Sequence, residues 1–544
     1  MIRRVSRRRF LRHAAVGMGA LTLASRFIDP GRPAPASAQS KGTLTCGLAM
    51  GPETMDVTVT TSSDTGRIGL HLVDPLVWQP SAGQFAPGLA TSWSVSPDAK
   101  TYTFRLRENV KFHDGTPLTG EAVKTTFDRI VNPDTKSQLA FDFIGPYERT
   151  EVVGPFVVRI HFKEPYGAFL GAVSTPYLGI VSPAALTKYG KDFGSVAFVS
   201  TGPFMMRSYR PDAEIVLVRN PNYNWASPIF KHQGPAYIEN LVFRVIPEDA
   251  VRLATLGTKE TQFILNVPTR DYQRLKNDRN LVLVEIPQAG TGYSLMMNEQ
   301  RPPTGDIAVR RAIMLGIDRV GFVQSVWDGV HKPGCGPVTP NILGFDPKTC
   351  AQYTYNPDLA KRTLDEAGWK PGGDGVRRQE GGQRLKLDFY FHNRFPRSQE
   401  MATFIQANLK TIGMDVALFN LAPGGYFAAV RTGQQNLNFW WETDTNPALL
   451  LDELFASRHA NGGTNRNFYK NPQMDQMITQ LQAETDGQKR KDLVEKIQQK
   501  AMADAIMAYL ADPLSLFAYD RSLSGVWVDW GGNYPYFYDT RLAS

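Results

Sequence analysis

Hydrophobic and polar positions change period repeatedly along this chain, and the changes mark its elements. Residues 43–50 read as a first core strand. Residues 101–107 alternate, with Tyr102, Phe104 and Leu106 on one face, which predicts a half-buried strand. Asp114-Gly115 supplies a tight turn, and Thr119 is then an N-cap. Behind it Ala122, Val123, Phe127 and Ile130 fall on one face of a helix over 120–130. Further strands are predicted over 156–162, 215–219, 241–246, 281–287, 385–391, 414–419, 436–439, 507–512 and 514–519. Helical spacing predicts 248–256 with Val251, Ala254 and Thr255 inward, and 306–319 with Val309, Ile313, Gly316 and Ile317 on one stripe. In a third helix Asn356 caps, Pro357 opens, Leu359, Thr363 and Leu364 face inward, and Gly368 stops. Helices over 398–412 and 472–483, and a longer one ending near 505, complete the pattern. Strands alternating with helices in this way indicate an α/β protein.

Charge is concentrated at the start. Residues 1–38 hold eight Arg and one Asp, a net of +7, whereas the whole 544-residue chain is +8; the remainder is therefore +1. A near-neutral body carries no electrostatic footprint for nucleic acid. The run Ser6-Arg7-Arg8-Arg9-Phe10-Leu11-Arg12, an apolar stretch over 14–24 and Ala36-Ser37-Ala38 match a twin-arginine signal with its cleavage site. Arg7 and Arg8 are its signal pair. Maturation before Gln39 and a periplasmic location are expected. The apolar stretch is shorter than the roughly 20 residues a bilayer span needs.

About five hundred mature residues exceed one core, so at least two lobes are expected. Cys335 and Cys350 bracket a Pro/Gly-rich segment, and in an oxidising compartment a disulfide between them is expected. Cys46, in an apolar run, reads as a buried free thiol. No C-x-x-C, H-E-x-x-H or G-x-S-x-G is present, which argues against a metal site or a secreted hydrolase. His113-Asp114 has no nucleophile in a recognisable setting beside it, so a structural turn is its expected role. No cofactor is expected.

Residues 89–130 contain Leu-Ala-x-Ser-Trp, then Tyr-Thr-Phe-x-Leu-Arg, then Val-Lys-Phe-His-Asp-Gly-x-Pro-Leu-Thr. This resembles the signature of the peptide-binding family of extracytoplasmic solute-binding proteins, the receptors of dipeptide, oligopeptide and nickel ABC importers. A second marker begins at Ser200-Thr201-Gly202-Pro203-Phe204 and ends at Asn220-Pro221-Asn222-Tyr223. The markers cover the mature chain in the family's order. The resemblance implies a two-lobed periplasmic-binding-protein fold with an accessory subdomain inserted in the first lobe. Its expected bounds are lobe I over 39–82, 200–290 and 512–544, the accessory subdomain over 83–199, and lobe II over 291–511.

The resemblance also carries a site. In dipeptide and oligopeptide receptors a Trp-x-x-Asp run places an Asp on the peptide's ammonium group, and Trp441 and Asp444 match that spacing. The sequence departs from the family beyond it, because Asn446-Pro447 arrives one residue early and replaces a second acid. Asp444 is equally a candidate helix cap. Trp440 and Thr443 flank the run. Thr291, Gly292 and Tyr293 lie where the family crosses between lobes, the glycines permitting a hinge or ligand contact. Thr60, Thr61 and Asp64 are cleft candidates in a polar loop after the first strand. The expected function is a monomeric receptor that traps a peptide or peptide-like solute, breaks no bond, and docks on a membrane ABC permease. A nickel chelate, opine, sugar or haem is the alternative cargo.

Overall fold

The computed structural model describes residues 42–60, 62–393, 395 and 397–543. The twin-arginine segment with Arg7 and Arg8, and the candidate Thr61, lie outside the described residues.

Two mixed sheets form the frame. The first has seven strands in the order Leu281–Pro287, Leu514–Asp520, Phe263–Ile264, Thr43–Leu48, Asn240–Val245, Glu214–Arg219 and Phe204–Arg210. The second has six, in the order Lys332–Pro333, Met507–Asp512, Thr291–Met297, Leu437–Glu442, Lys386–Phe391 and Asp415–Asn420. Within each, parallel and antiparallel pairings mix: Thr43–Leu48 runs parallel to Asn240–Val245, and Lys386–Phe391 runs parallel to Asp415–Asn420. A third, four-stranded antiparallel sheet joins Ala90–Val95, Thr101–Leu106, Val157–Phe162 and Tyr147–Gly154. The predicted Tyr102, Phe104 and Leu106 face is buried there. The helix Gly120–Val131 follows the turn, its Phe127 and Ile130 also buried.

The chain passes from the first sheet to the second through Gln288, Ala289 and Gly290, and returns through Pro513. The two connections touch: Gln288 N donates to Pro513 O at 3.0 Å. Glycine is required at this crossing. Gly290 has φ +140°, and a Cβ there would lie 2.0 Å from Glu442 O; a Cβ on Gly292 would lie 2.4 Å from Ala511 O. Any larger residue would prise neighbouring strands apart.

Cys335 and Cys350 are disulfide-bonded, and Cys46 is a buried free thiol. His113 and Asp114 hold the signature turn together. The His113 ring meets Gly202 O and Ser200 N, while Asp114 accepts from Thr116 and Ser182.

Two predicted helix faces need correcting. In Asp249–Gly257 the inward residues are Arg252, Leu253, Thr255 and Leu256, and Val251 is 53% exposed, with Ala254 exposed too. Arg252 turns the helix: buried, it donates to the carbonyls of Leu265, Ile246 and Asn266 and pairs with Asp249 at 2.6 Å. A periodicity count scores arginine as outward and misses this anchoring role. In Pro357–Glu366 the buried pair is Ala360 and Leu364, and Leu359 is 38% exposed. The helix predicted over 306–319 ends at Gly316, and Asp318 caps a new one, Arg319–Val326.

Candidate ligand-binding site

The site forms where the strand Leu437–Glu442 runs out between the sheets. Trp440 and Glu442 point to one side of this strand and Trp441 to the other, as the two-residue period requires. Trp441 joins an aromatic stack with Tyr293 at 5.6 Å, and Tyr293 stacks in turn on Trp327 at 4.8 Å. The guanidinium of Arg397 caps Trp327 at 5.4 Å. Trp441 Nε1 donates to Gln288 Oε1 at 2.8 Å, tying this strand to the crossing.

The opposite side is short of cations. Trp440 Nε1 and Glu442 Oε2 are buried without a well-formed hydrogen bond among the described residues, and Glu442 lies close enough to Trp440 and Glu453 for hydrogen bonding to both to bear on its titration. Asp444 is half-buried, and its Oδ1 accepts from the Asn446 amide at 2.7 Å. No cation pairs with it among the described residues. Burial, offset in part by the Asn446 amide and aided by the nearby Glu453, pushes its pKa up to about 7. Burial, followed by the charges of Glu453 and Asp444, holds Glu442 well above the ordinary carboxylate range. Burial raises Glu453 too. Three carboxyls crowded into a desolvated corner favour their neutral forms until a cation arrives.

The helix cap belongs to Asn446, whose side chain accepts from Ala448 N at the start of Pro447–Phe455. Asn446 Nδ2 also donates to Ala168 O at 3.1 Å, and Gly167 N donates to Gln482 O at 2.6 Å. A Cβ on Gly531 would lie 2.8 Å from Thr445 Cγ2. The loop after Glu442 therefore touches segments on either side of it. A pocket of about 250 Å³ opens beside it, lined by Tyr102, Leu170, Thr445, Asn446 and Arg490 among others. Arg490 and Leu170 were not foreseen; they come from distant segments whose spacing carries no shared motif.

The remaining candidates lie elsewhere or are already bonded. Thr291 is buried and its hydroxyl donates to Pro337 O at 3.1 Å. Gly292 faces the neighbouring strand, as above. Thr443 is half-buried beside Asp444. Thr60 donates to Glu53. Asp64 sits in the short helix Ser63–Gly69 and pairs with Arg67 at 2.7 Å.

No group of three or more His, Cys, Asp or Glu among the described residues could hold a metal ion, and no described helix is long and apolar enough to cross a membrane.

Comparisons with known proteins agree over most of the chain. A protein named "Probable D,D-dipeptide-binding periplasmic protein DdpA" from Escherichia coli is 27% identical over 521 residues, covering 93% of this chain and 94% of that one. The glutathione-binding protein GsiB of Pectobacterium atrosepticum is 28% identical over 448 residues, covering 81% and 82%. Among solved structures, the periplasmic binding protein DppA of Helicobacter pylori, in complex with the peptide STSA, superposes with a TM-score of 0.77 at 23% identity over 93% of this chain and 98% of that one. The fold is thus the α/β, two-lobed periplasmic-binding-protein fold. The family model for bacterial extracellular solute-binding proteins, family 5, matches residues 84–461, and the chain belongs to that family.

Proposed function

We propose that this protein is the receptor of an ABC importer, that it traps a peptide or peptide-like solute between two lobes, and that Asp444 receives the solute's ammonium group. The observation that carries this reading is the open corner at the end of Leu437–Glu442. There Glu442, Asp444 and Glu453 crowd together, burial raises all three, and none of them forms an ion pair among the described residues. Buried polar groups are rarely left unmet, and an ammonium-bearing solute supplies what these lack. DdpA and GsiB, both named for peptide ligands, support the cargo class.

The two large sheets support two lobes, with Asp512, the last residue of the second sheet, at the proposed boundary. Lobe I is assigned to 39–82, 200–290 and 512–544, lobe II to 291–511, and the four-stranded sheet to an accessory subdomain over 83–199. The glycines at the crossing and the Trp441–Gln288 bond suit a hinge that senses occupancy of the anchor strand. The segment 1–38, with Arg7 and Arg8, directs export by the twin-arginine route to the periplasm, where the closed monomer docks on a membrane permease.

Calorimetry with a panel of dipeptides and their N-acetylated forms tests the reading. Binding of free dipeptides that N-acetylation weakens at least about tenfold, or ~1.4 kcal/mol, is the expected result. A solute that binds equally well without a cationic group would sink the ammonium anchor, and a ligand of another class would sink the cargo.

A further inference from the structure

The pocket of about 250 Å³ beside the loop after Glu442 is far larger than a single water needs, and it adjoins the anchor. Thr445 and Asn446, the two residues after Asp444, form part of its wall. One side comes from the strand Gln84–Pro87 and the four-stranded sheet, through Phe85 and Tyr102. The other comes from Leu343 and the start of the helix Gly487–Ala503. The two sides meet at Gly167, where a Cβ would lie 2.2 Å from Glu484 O.

Among the described residues Arg490 is the one charged group on this wall, and no acid lines the pocket. Its Nη1 donates to Leu481 O at 3.2 Å and to Glu484 O at 2.9 Å, which fixes the guanidinium in place. Its Nε and Nη2 make no hydrogen bond and no ion pair among the described residues, and neither is sealed away from accessible space. Glu484, the acid that acts on Arg490, turns its Oε1 instead to the amides of Thr485 and Asp486, at 2.9 and 2.8 Å. Burial lowers the pKa of Arg490 from the usual arginine value, as a desolvated cation requires. Gln79 adds a neutral donor to the wall: its Oε1 accepts from Ser174, which leaves its amide N–H groups unspent among the described residues. The Tyr102 hydroxyl and the Asn446 side chain are already committed, to Tyr166 O and to Ala168 O and Ala448 N.

A fixed guanidinium with N–H groups to spare, set among neutral donors and apolar walls, suits a carboxylate on a short carbon chain. We propose that this pocket holds a carboxylate carried beside the solute's ammonium group, and that Arg490 pairs with it. Because Thr445 adjoins Asp444, a group seated here lies within a few bonds of an ammonium held by Asp444. The solute is then acidic at its ammonium-bearing residue, as a glutamyl or aspartyl peptide is, and not only at its far end. This inference rests on the reading of Asp444 as the ammonium anchor, and it adds a preference that the anchor alone does not supply.

The test is calorimetry of the mature protein with the dipeptides Glu-Ala, Gln-Ala and Ala-Ala. The wild type is expected to bind Glu-Ala at least about tenfold more tightly than Gln-Ala, its neutral counterpart. Arg490→Met should erase that preference, and Arg490→Lys should keep part of it. Gly487 lines the pocket and a Cβ there meets nothing within 4 Å, so Gly487→Leu should narrow the pocket and lower the preference with Arg490 still in place. That variant carries the test if Arg490→Met, which loses the bonds to Leu481 and Glu484, does not fold. N-acetylation keeps the two readings apart: equal binding of Glu-Ala and its N-acetyl form removes the anchor. Equal binding of Glu-Ala and Gln-Ala, or a preference that survives in the variants, overturns this inference and leaves the anchor standing. A melting temperature that rises with free glutarate and not in Arg490→Met, without any preference for Glu-Ala, would assign the pocket to a separate carboxylate and overturn the link to the solute. Binding of none of these dipeptides sinks the cargo and this inference with it.

Discussion

Each large sheet sends a loop carrying an aspartate past the end of a strand, and the two aspartates live in opposite circumstances. Asp56 follows Thr43–Leu48. It is buried, pairs with Arg129 at 2.7 Å, and accepts from both the amide and hydroxyl of Thr58. Asp444 follows Leu437–Glu442 and has the Asn446 amide at 2.7 Å but no cation among the described residues. Strand ends of open sheets are where ligands bind, so position alone would nominate both. Saturation separates them. A carboxylate whose lone pairs are filled from within the chain holds structure, and one left short in a dry corner is available to a guest.

The sharpest break of that comparison is removal of Asp56. Asp56→Ala strands the Arg129 cation and the amide and hydroxyl of Thr58, so a loss of about 3 kcal/mol in urea unfolding is expected. Solute affinity of the folded fraction should stay within about twofold. A variant as stable as the wild type would show that the first loop is not held by this pair.

Asp444→Asn should do the reverse. Affinity for an ammonium-bearing solute should fall at least about tenfold by calorimetry, while unfolding stability stays level or rises. Unchanged affinity would reject the anchor. Acidity provides an independent handle on the same residue. The folded pKa of Asp444 is raised to about 7, above its ordinary value, so the empty folded state holds the proton longer than the unfolded one. Its contribution to stability is therefore full below the unfolded pKa and is lost as pH rises towards 7. Solute binding runs the other way, because the ammonium needs the ionised form. With a pKa near 7, the ionised fraction grows about tenfold between pH 6 and pH 8, and affinity should grow with it. The slope should vanish in Asp444→Asn; a slope that persists would assign the titration to Glu442 or Glu453.

Much of this architecture could be read in the sequence, and the misses have physical causes. The alternation of Tyr102, Phe104 and Leu106 is a local consequence of one buried face, and local pattern is what a sequence displays. Trp441 and Asp444 were legible through a motif resemblance. The crowding of Glu442, Asp444 and Glu453 without a cation was not, because it depends on which distant segments fail to reach them. Asp64 looked like a cleft acid until Arg67, one helical turn away, proved to be its partner. Arg252 shows the same limit from the cationic side. It is a charged residue whose burial is decided by the carbonyls that tertiary folding brings to it.

The smallest expected effect concerns how the second loop speaks to the crossing. Trp441→Phe keeps an aromatic ring against Tyr293 but removes the Nε1–H that donates to Gln288 Oε1. Gln288 is buried, its backbone amide bonds Pro513 O, and its Nε2 donates to Ser515. The bond thus links the anchor strand to both passages between the sheets. Its loss should cost about 1 kcal/mol, since a neutral hydrogen bond contributes about that much net. If it forms only when the lobes are closed, affinity should fall roughly fivefold, chiefly through faster solute release. Pairing the variant with Gln288→Met in a double-mutant cycle isolates the link, because either change alone removes it. A coupling near 1 kcal/mol in binding is expected. Additive losses would mean that Trp441 acts on the solute or the aromatic stack directly, and that closure is read through other contacts.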